Sequence, residues 1–166
     1  MKNNAYLTQS CLTKYGGWEN NDEKDELIVG YGDRLGEKGA GKLQIGFQNI
    51  SGIKGPINAA NEIFDVIEDK EVDIMGLAET NINWTETKRQ EAKMAIKLRY
   101  GQGNITTSSG RAIKDGYLPG GTATIARGKT TGRIIAQGSD EMGRFTWIQL
   151  KVKNEQQVMI ITAYRV

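Results

Sequence analysis

The 166-residue chain contains no histidine, which removes Ser-His-Asp and Cys-His nucleophilic schemes and any histidine-ligated zinc site. Its single cysteine, Cys11, excludes a disulfide within the chain and a cysteine-based zinc site. No apolar run approaches the roughly 18 residues of a membrane span, and the polar opening stretch lacks the basic-then-apolar layout of a signal peptide. A cytoplasmic or nuclear, non-secreted protein without membrane contact is therefore expected. The net charge of +2 is too small to act as an electrostatic footprint for nucleic acid. Lys88, Arg89, Lys93, Lys97 and Arg99 form a local basic cluster, but on a helix such a cluster is ordinarily a solvated face. What remains for chemistry is carboxylate, amide, hydroxyl, phenol and cation, a set that suits a hard ion such as Mg²⁺.

The length fits one domain with a core of its own. Residues 1–41 scatter Tyr6, Tyr15, Trp18 and Tyr31 among polar residues and end in a Gly-rich stretch, which reads as an irregular leader. From Lys42 the pattern becomes regular. Leu43, Ile45 and Phe47 alternate with Gln44, Gly46 and Gln48, the period of a half-buried strand. Ile57, Ala60, Phe64 and Ile67 follow at helical spacing and predict a helix over about 57–70. Val72, Ile74, Met75 and Leu77 then read as a buried strand. The unit is β-α-β, with parallel strands, and ligand sites in such sheets gather at the carboxyl ends of the strands. Asn49 and Glu79 both fall there.

A second helix is expected over about 86–98, with Ala92, Ala95 and Leu98 inward, followed by a polar, Gly-rich loop to about Pro119. Strands are expected over 122–126, 133–136, 144–152 and 158–164. Lys153 to Gln156 supplies a hairpin connection, so the last two strands should be antiparallel neighbours.

Gly36 to Lys42 reads Gly-Glu-Lys-Gly-Ala-Gly-Lys and matches all but the last position of a nucleotide-binding phosphate loop. That loop needs a Ser or Thr hydroxyl after the lysine and a helix to follow. Here Leu43 occupies the hydroxyl position and a strand pattern follows, so a linker is the better account. Gly128-Lys129-Thr130 is a weaker echo and reads as a turn.

Three stretches, taken in order, resemble the endonuclease/exonuclease/phosphatase superfamily. Ile45-Gly-Phe-Gln-Asn49-Ile-Ser-Gly52 resembles its opening strand, which ends in a site asparagine. Asp73-Ile-Met-Gly-Leu-Ala-Glu79-Thr80 resembles the strand ending in its metal-binding glutamate. Val158-Met-Ile-Ile-Thr-Ala-Tyr164-Arg165 resembles the strand that delivers an active-site tyrosine. Between them, Gly120-Gly121-Thr-Ala and Gly143-Arg-Phe-Thr-Trp-Ile-Gln-Leu150 resemble the linking strands. The combination is most similar to endonuclease domains attached to retroelement or viral reverse transcriptases.

The resemblance implies an α/β (α+β) fold, part of a four-layer α/β/β/α sandwich with a mixed sheet. It implies a metal-dependent phosphodiesterase, in the parent protein a DNA endonuclease or nickase with a reverse transcriptase domain downstream, using Mg²⁺ or Mn²⁺. Asn49, Glu79 and Tyr164 take catalytic roles by this resemblance, with Glu79 and Asn49 at the metal, while Arg144 and Arg165 meet substrate phosphate. Residue type alone leaves other accounts open. Glu79 can be a solvated loop residue, Asn49 a turn-closer, Tyr164 a core-edge phenol, and the two arginines surface ion-pair members. Trp84 and Trp147 read as packing.

The resemblance covers residues 42–166. The family continues through an Asp-x-Asn motif and an Asp-His pair, and neither is found in this sequence; Ser51 stands where many members have a second acid. A partial domain with little activity of its own is expected, its second half truncated and an apolar sheet face left uncovered. The alternatives are a non-catalytic remnant or interaction module of the same fold, and a phosphatase on lipid or inositol phosphates.

Overall fold

The computed structural model describes residues 38–39, 41–53, 61–110 and 118–165. Nearly all of the expected leader, including Cys11 and its aromatics, lies outside the described residues, as does the expected helix start at 57–60. The fold is mixed α/β, with a four-stranded mixed sheet, a separate three-stranded sheet and two α-helices among the described residues.

The β-α-β unit forms as its pattern predicts. Strand β1 (Ile45–Asn49) pairs in parallel with β2 (Ile74–Ala78), and helix α1 (Asn61–Asp69) connects them in sequence. All five residues of β2 are buried, because the strand is central and covered on both faces. The first sheet is completed by β4 (Thr122–Arg127), antiparallel to β2, and β3 (Gly103–Ser108), antiparallel to β4. The second sheet has the order β5 (Ile134–Ser139), β6 (Phe145–Lys151), β7 (Gln157–Ala163), all antiparallel. A tight turn at Lys153–Glu155, with Asn154 and Glu155 left-handed at φ of 58° and 60°, closes the β6–β7 hairpin.

Helix α2 (Glu86–Tyr100) is set by its ends. The Thr85 side chain caps the first turn by accepting from the Lys88 amide, Lys97 and Arg99 lie in the last turn, and Gly101 closes the helix with its N–H on the Lys97 carbonyl. The inward face differs from expectation at one position. Ala92 is fully buried and Ala95 partly so, but Leu98 is 83% exposed and Ile96 is buried in its stead. Six residues beyond Ala92, Leu98 has turned about 240° round the axis, whereas Ile96 is four residues on and fills the space above Gly103. The basic cluster is also less free than a solvated face. Arg89 Nε donates to Thr107 Oγ1, and Arg99 ties α2 to α1 through Glu68 and Asp65. Arg99's hydrogen bond holds the Glu68 carboxyl below its ordinary pKa.

The second correction is β3, a strand where a polar loop was expected. Its Thr106, Thr107 and Ser108 are buried. On the side facing the second sheet, Asn104 and Thr106 donate to Gln137 Oε1 and Ser108 to Asp140.

Alternation along each strand builds three layers. Met75, Leu77, Ile105, Ala123 and Ile125 pack with Phe64, Ile67, Ala92 and Ile96 of the helices. Ile74 and Ala126 face the other way, onto Ile148 and Leu150 of the second sheet. Outward-facing Met159 and Ile161 on β7 are 52% and 58% exposed, and a fourth, helical layer is not among the described elements.

Where the sheets meet in mid-strand the contact is polar. Thr124 Oγ1 lies 2.7 Å from both Thr146 Oγ1 and Thr162 Oγ1. Close approach there requires Gly76, since a Cβ at that position would sit 2.5 Å from Thr162 Oγ1. Gly76→Ala is therefore expected to cost about 1–3 kcal/mol by overpacking, read as a lowered urea midpoint with the slope unchanged; an unaltered midpoint would mean that the sheets are not this close.

Candidate functional site

Strand register carries the candidate residues to one end of the sandwich. Counting up from the threonine contact, the next inward-facing row of the first sheet is Asn49, Ala78, Thr122 and Ser108, paired in that order across β1, β2, β4 and β3. On the second sheet, Tyr164 lies two residues beyond Thr162 and Arg144 two before Thr146. The two are joined by the Tyr164 amide donating to the Arg144 carbonyl at 2.7 Å. Because Thr146 and Thr162 sit against Thr124, this pair belongs over the Ala78–Thr122 row. Asn49, Glu79, Tyr164 and Arg144, far apart in sequence, thus share the carboxyl end of β2.

The backbone is unusual at that end. Ser51, Glu79 and Asn81 are non-glycine residues at φ of 48°, 57° and 53°, beside Gly52, Gly120 and Gly121 at 99°, 84° and 84°. Left-handed side-chain-bearing residues cost free energy and persist where surrounding bonds over-determine them. Those bonds are present. Ile50, Gly52 and Ile53 donate to the carbonyls of Ala78, Glu79 and Thr80, while Thr80 and Asn81 donate to Gly121 and Gly120. Asn81 Oδ1 returns the bond by accepting from the Gly120 amide. Gly121 leaves room for Thr80, as a Cβ there would lie 2.7 Å from its Oγ1.

Glu79 is half-buried, and its carboxylate has no hydrogen bond or ion pair among the described residues. Asn49 is exposed, and its Oδ1 accepts from the Ser51 amide at 3.1 Å, the turn-closing bond allowed by its residue type. Tyr164 is half-buried and Arg165 exposed. Trp84 is buried with its Nε1 donating to Thr80 Oγ1, and Trp147 lies against Gly138, so both tryptophans pack.

Arg144 has a carboxylate partner that residue patterning did not reveal. Asp140 Oδ2 accepts from Arg144 Nε at 2.9 Å, and Oδ1 accepts from Ser108 Oγ and the amides of Arg144 and Phe145. Gly143 allows this turn to press on the backbone of Ser109 and Gly110. The pairing uses one edge of the guanidinium, and its η nitrogens are without partners among the described residues. Thr122 Oγ1 is the one buried side-chain polar atom without a partner among the described residues, and it lies in this same row. The Gly120-Gly121 pair before β4 and the Glu-Thr-Asn run after β2 were the available sequence signals for Thr80, Asn81 and Thr122. The Asp140–Ser108 link had no such signal.

Searches against protein-family models and characterised proteins find no match to this chain.

Burial alone would raise the Asp140 pKa, but bonds from the Arg144 side chain, Ser108 and the Phe145 and Arg144 amides outweigh it and hold the carboxyl down at about 2. A depressed acid stabilises the fold fully above its ordinary value of 3.8, and loses that contribution as pH falls through about 2. With Arg144 half in solvent, the contribution is about 1 kcal/mol. Asp140→Asn is expected to lower stability at neutral pH by about this amount and to flatten the acid limb of a denaturation-versus-pH curve; an identical acid limb in the variant would refute the assignment.

Proposed function

We propose that the carboxyl end of β2 is the phosphodiester-binding end of a metal-dependent phosphodiesterase, a DNA endonuclease or nickase, with Asn49, Glu79 and Tyr164 as its catalytic residues. One observation carries the reading: the register brings Asn49, Tyr164 and Arg144 to the carboxyl end of β2, where Glu79, without a side-chain partner among the described residues, follows on left-handed backbone held by main-chain bonds.

The donor set fits a hard cation. Mg²⁺ takes one or two carboxylates and keeps several waters, and Glu79 offers one such group beside the Asn49 amide; Mn²⁺ accepts the same oxygen ligands. Such an ion, when bound, supplies charge stabilisation at the phosphoryl oxygen. Tyr164 donates its hydroxyl proton to a non-bridging phosphate oxygen, adding a hydrogen bond where negative charge develops. Arg144, steadied through Nε by Asp140, turns its free η nitrogens to a second oxygen, and Arg165 adds charge at the rim. With no histidine in the chain and Asp140 already fully bonded, Glu79 is the carboxylate at this end of β2, among the described residues, left to orient water. With no histidine to serve as a base, slow turnover is expected.

A non-catalytic binding module of the same fold is the second reading. In its favour, no group of three or more His, Cys, Asp or Glu side chains among the described residues could hold a metal.

Amide NMR during Mg²⁺ titration, run beside nicking of supercoiled and abasic DNA, separates the two. Shifts at residues 49–52 and 79–81 are expected in the parent chain and not in Glu79→Gln, with slow Mg²⁺-dependent nicking reduced roughly 10-fold or more by Glu79→Gln or Tyr164→Phe. Unmoved amides, or nicking equal in the variants, would leave the binding module as the account.

A further inference from the structure

The opposite end of β2 holds a second feature that the proposed catalytic row does not use. An open cavity of about 460 Å³ is lined by Lys38, Arg99, Arg127 and Lys129 against only two carboxylates, Glu68 and Asp73, with Tyr100 and Thr130 completing the wall used below. We propose that this cavity is a phosphate-binding site, separated from the Glu79 end by the span from Asp73 to Glu79, roughly 20 Å at about 3.3 Å per residue.

Both carboxylates are already committed. Asp73 accepts from Lys38 Nζ at 2.7 Å and from the Gln44 amide, and Glu68 is held by two bonds from Arg99. Their pairing leaves Arg127 and Lys129 as cations without a carboxylate partner among the described residues. Arg127 is prearranged. Its Nε donates to the Val72 carbonyl at 2.6 Å and its guanidinium lies 5.4 Å over the Tyr100 ring, fixing the plane while the η nitrogens have no partner among the described residues. Thr130 is only 7% exposed and lines the same cavity, and its hydroxyl has no hydrogen-bond partner among the described residues. That hydroxyl is open to the cavity, and it adds a donor beside the cations that suits a ligand rich in acceptor oxygens. A guanidinium fork, an ammonium and a hydroxyl together match a phosphate group.

The aromatic lining argues against recognition of a base. The Tyr100 hydroxyl donates to the Phe64 carbonyl, Arg127 covers one face of the ring and Phe64 meets it edge-on. The ligand is therefore read by its phosphate, whether free, on a small ester, or in a nucleic-acid backbone.

Titrating the full chain with inorganic phosphate, followed by amide and arginine side-chain NMR, tests this. Saturable shifts at Arg127 to Thr130 are expected, weakened several-fold in Lys129→Gln and in Arg127→Lys. Lys129 is exposed, so its variant keeps the fold and decides the matter even if the Arg127 variant unfolds. A parallel titration with a short single-stranded oligonucleotide identifies the source: shifts at the same amides assign a nucleic-acid backbone, and shifts with phosphate alone assign a small phosphate. Absence of saturable shifts with phosphate, or equal affinity in the parent chain and Lys129→Gln, would overturn the proposal.

Discussion

Three threonine hydroxyls fix how the two sheets sit on each other. Thr124 on β4 bridges Thr146 and Thr162, which are cross-strand partners on β6 and β7. A buried hydroxyl that loses its partner costs about 1–3 kcal/mol, so sliding either sheet by one row would orphan all three at once. Apolar contacts between Ile74, Ala126, Ile148 and Leu150 hold the sheets together but tolerate repacking. The hydroxyl contact is directional and does not. Gly76 is its steric complement, for a Cβ there would lie 2.5 Å from Thr162 Oγ1.

From that constraint the rest of the sandwich follows row by row. On one side of the threonines Ile74, Ala126, Ile148 and Leu150 fill the middle of the inter-sheet space; on the other it opens into Asn49, Thr122, Ser108, Tyr164 and Arg144. The change in character along one strand places the buried core and the polar end on the same β2. Its interior residues are buried on both faces, while its end runs directly into the left-handed Glu79. Asp140 extends the same logic to the second sheet. One carboxylate closes the β5–β6 turn, docks it on β3 through Ser108 and aims Arg144.

The β-α-β unit was legible because its signal is local: alternation in Leu43, Ile45 and Phe47, then helical spacing through Phe64 and Ile67. The position of Asn49 and Glu79 at adjacent strand ends followed from that unit. Strand β3 was not legible, because Gly-Asn-Ile-Thr-Thr-Ser looks like loop until its partners are known. Its polar groups are satisfied by Gln137 and Asp140, some thirty residues away along the chain. Leu98 misled for a similar reason, since the buried stripe of α2 is chosen by the space over Gly103 and by Arg99's reach to Glu68, neither visible in the helix itself. The cationic cavity was hidden because Lys38, Arg99, Arg127 and Lys129 belong to segments that only the fold assembles.

The conformation of Glu79 sets conservation of the fold and conservation of the site against each other. At φ of 57° a glycine would relieve the backbone, by roughly 1 kcal/mol, and would delete the carboxylate in the same step. Under selection for stability alone this position should drift toward glycine or asparagine. A lineage that keeps glutamate here bears a standing cost, and the persistence of that residue across generations would itself be a record of use.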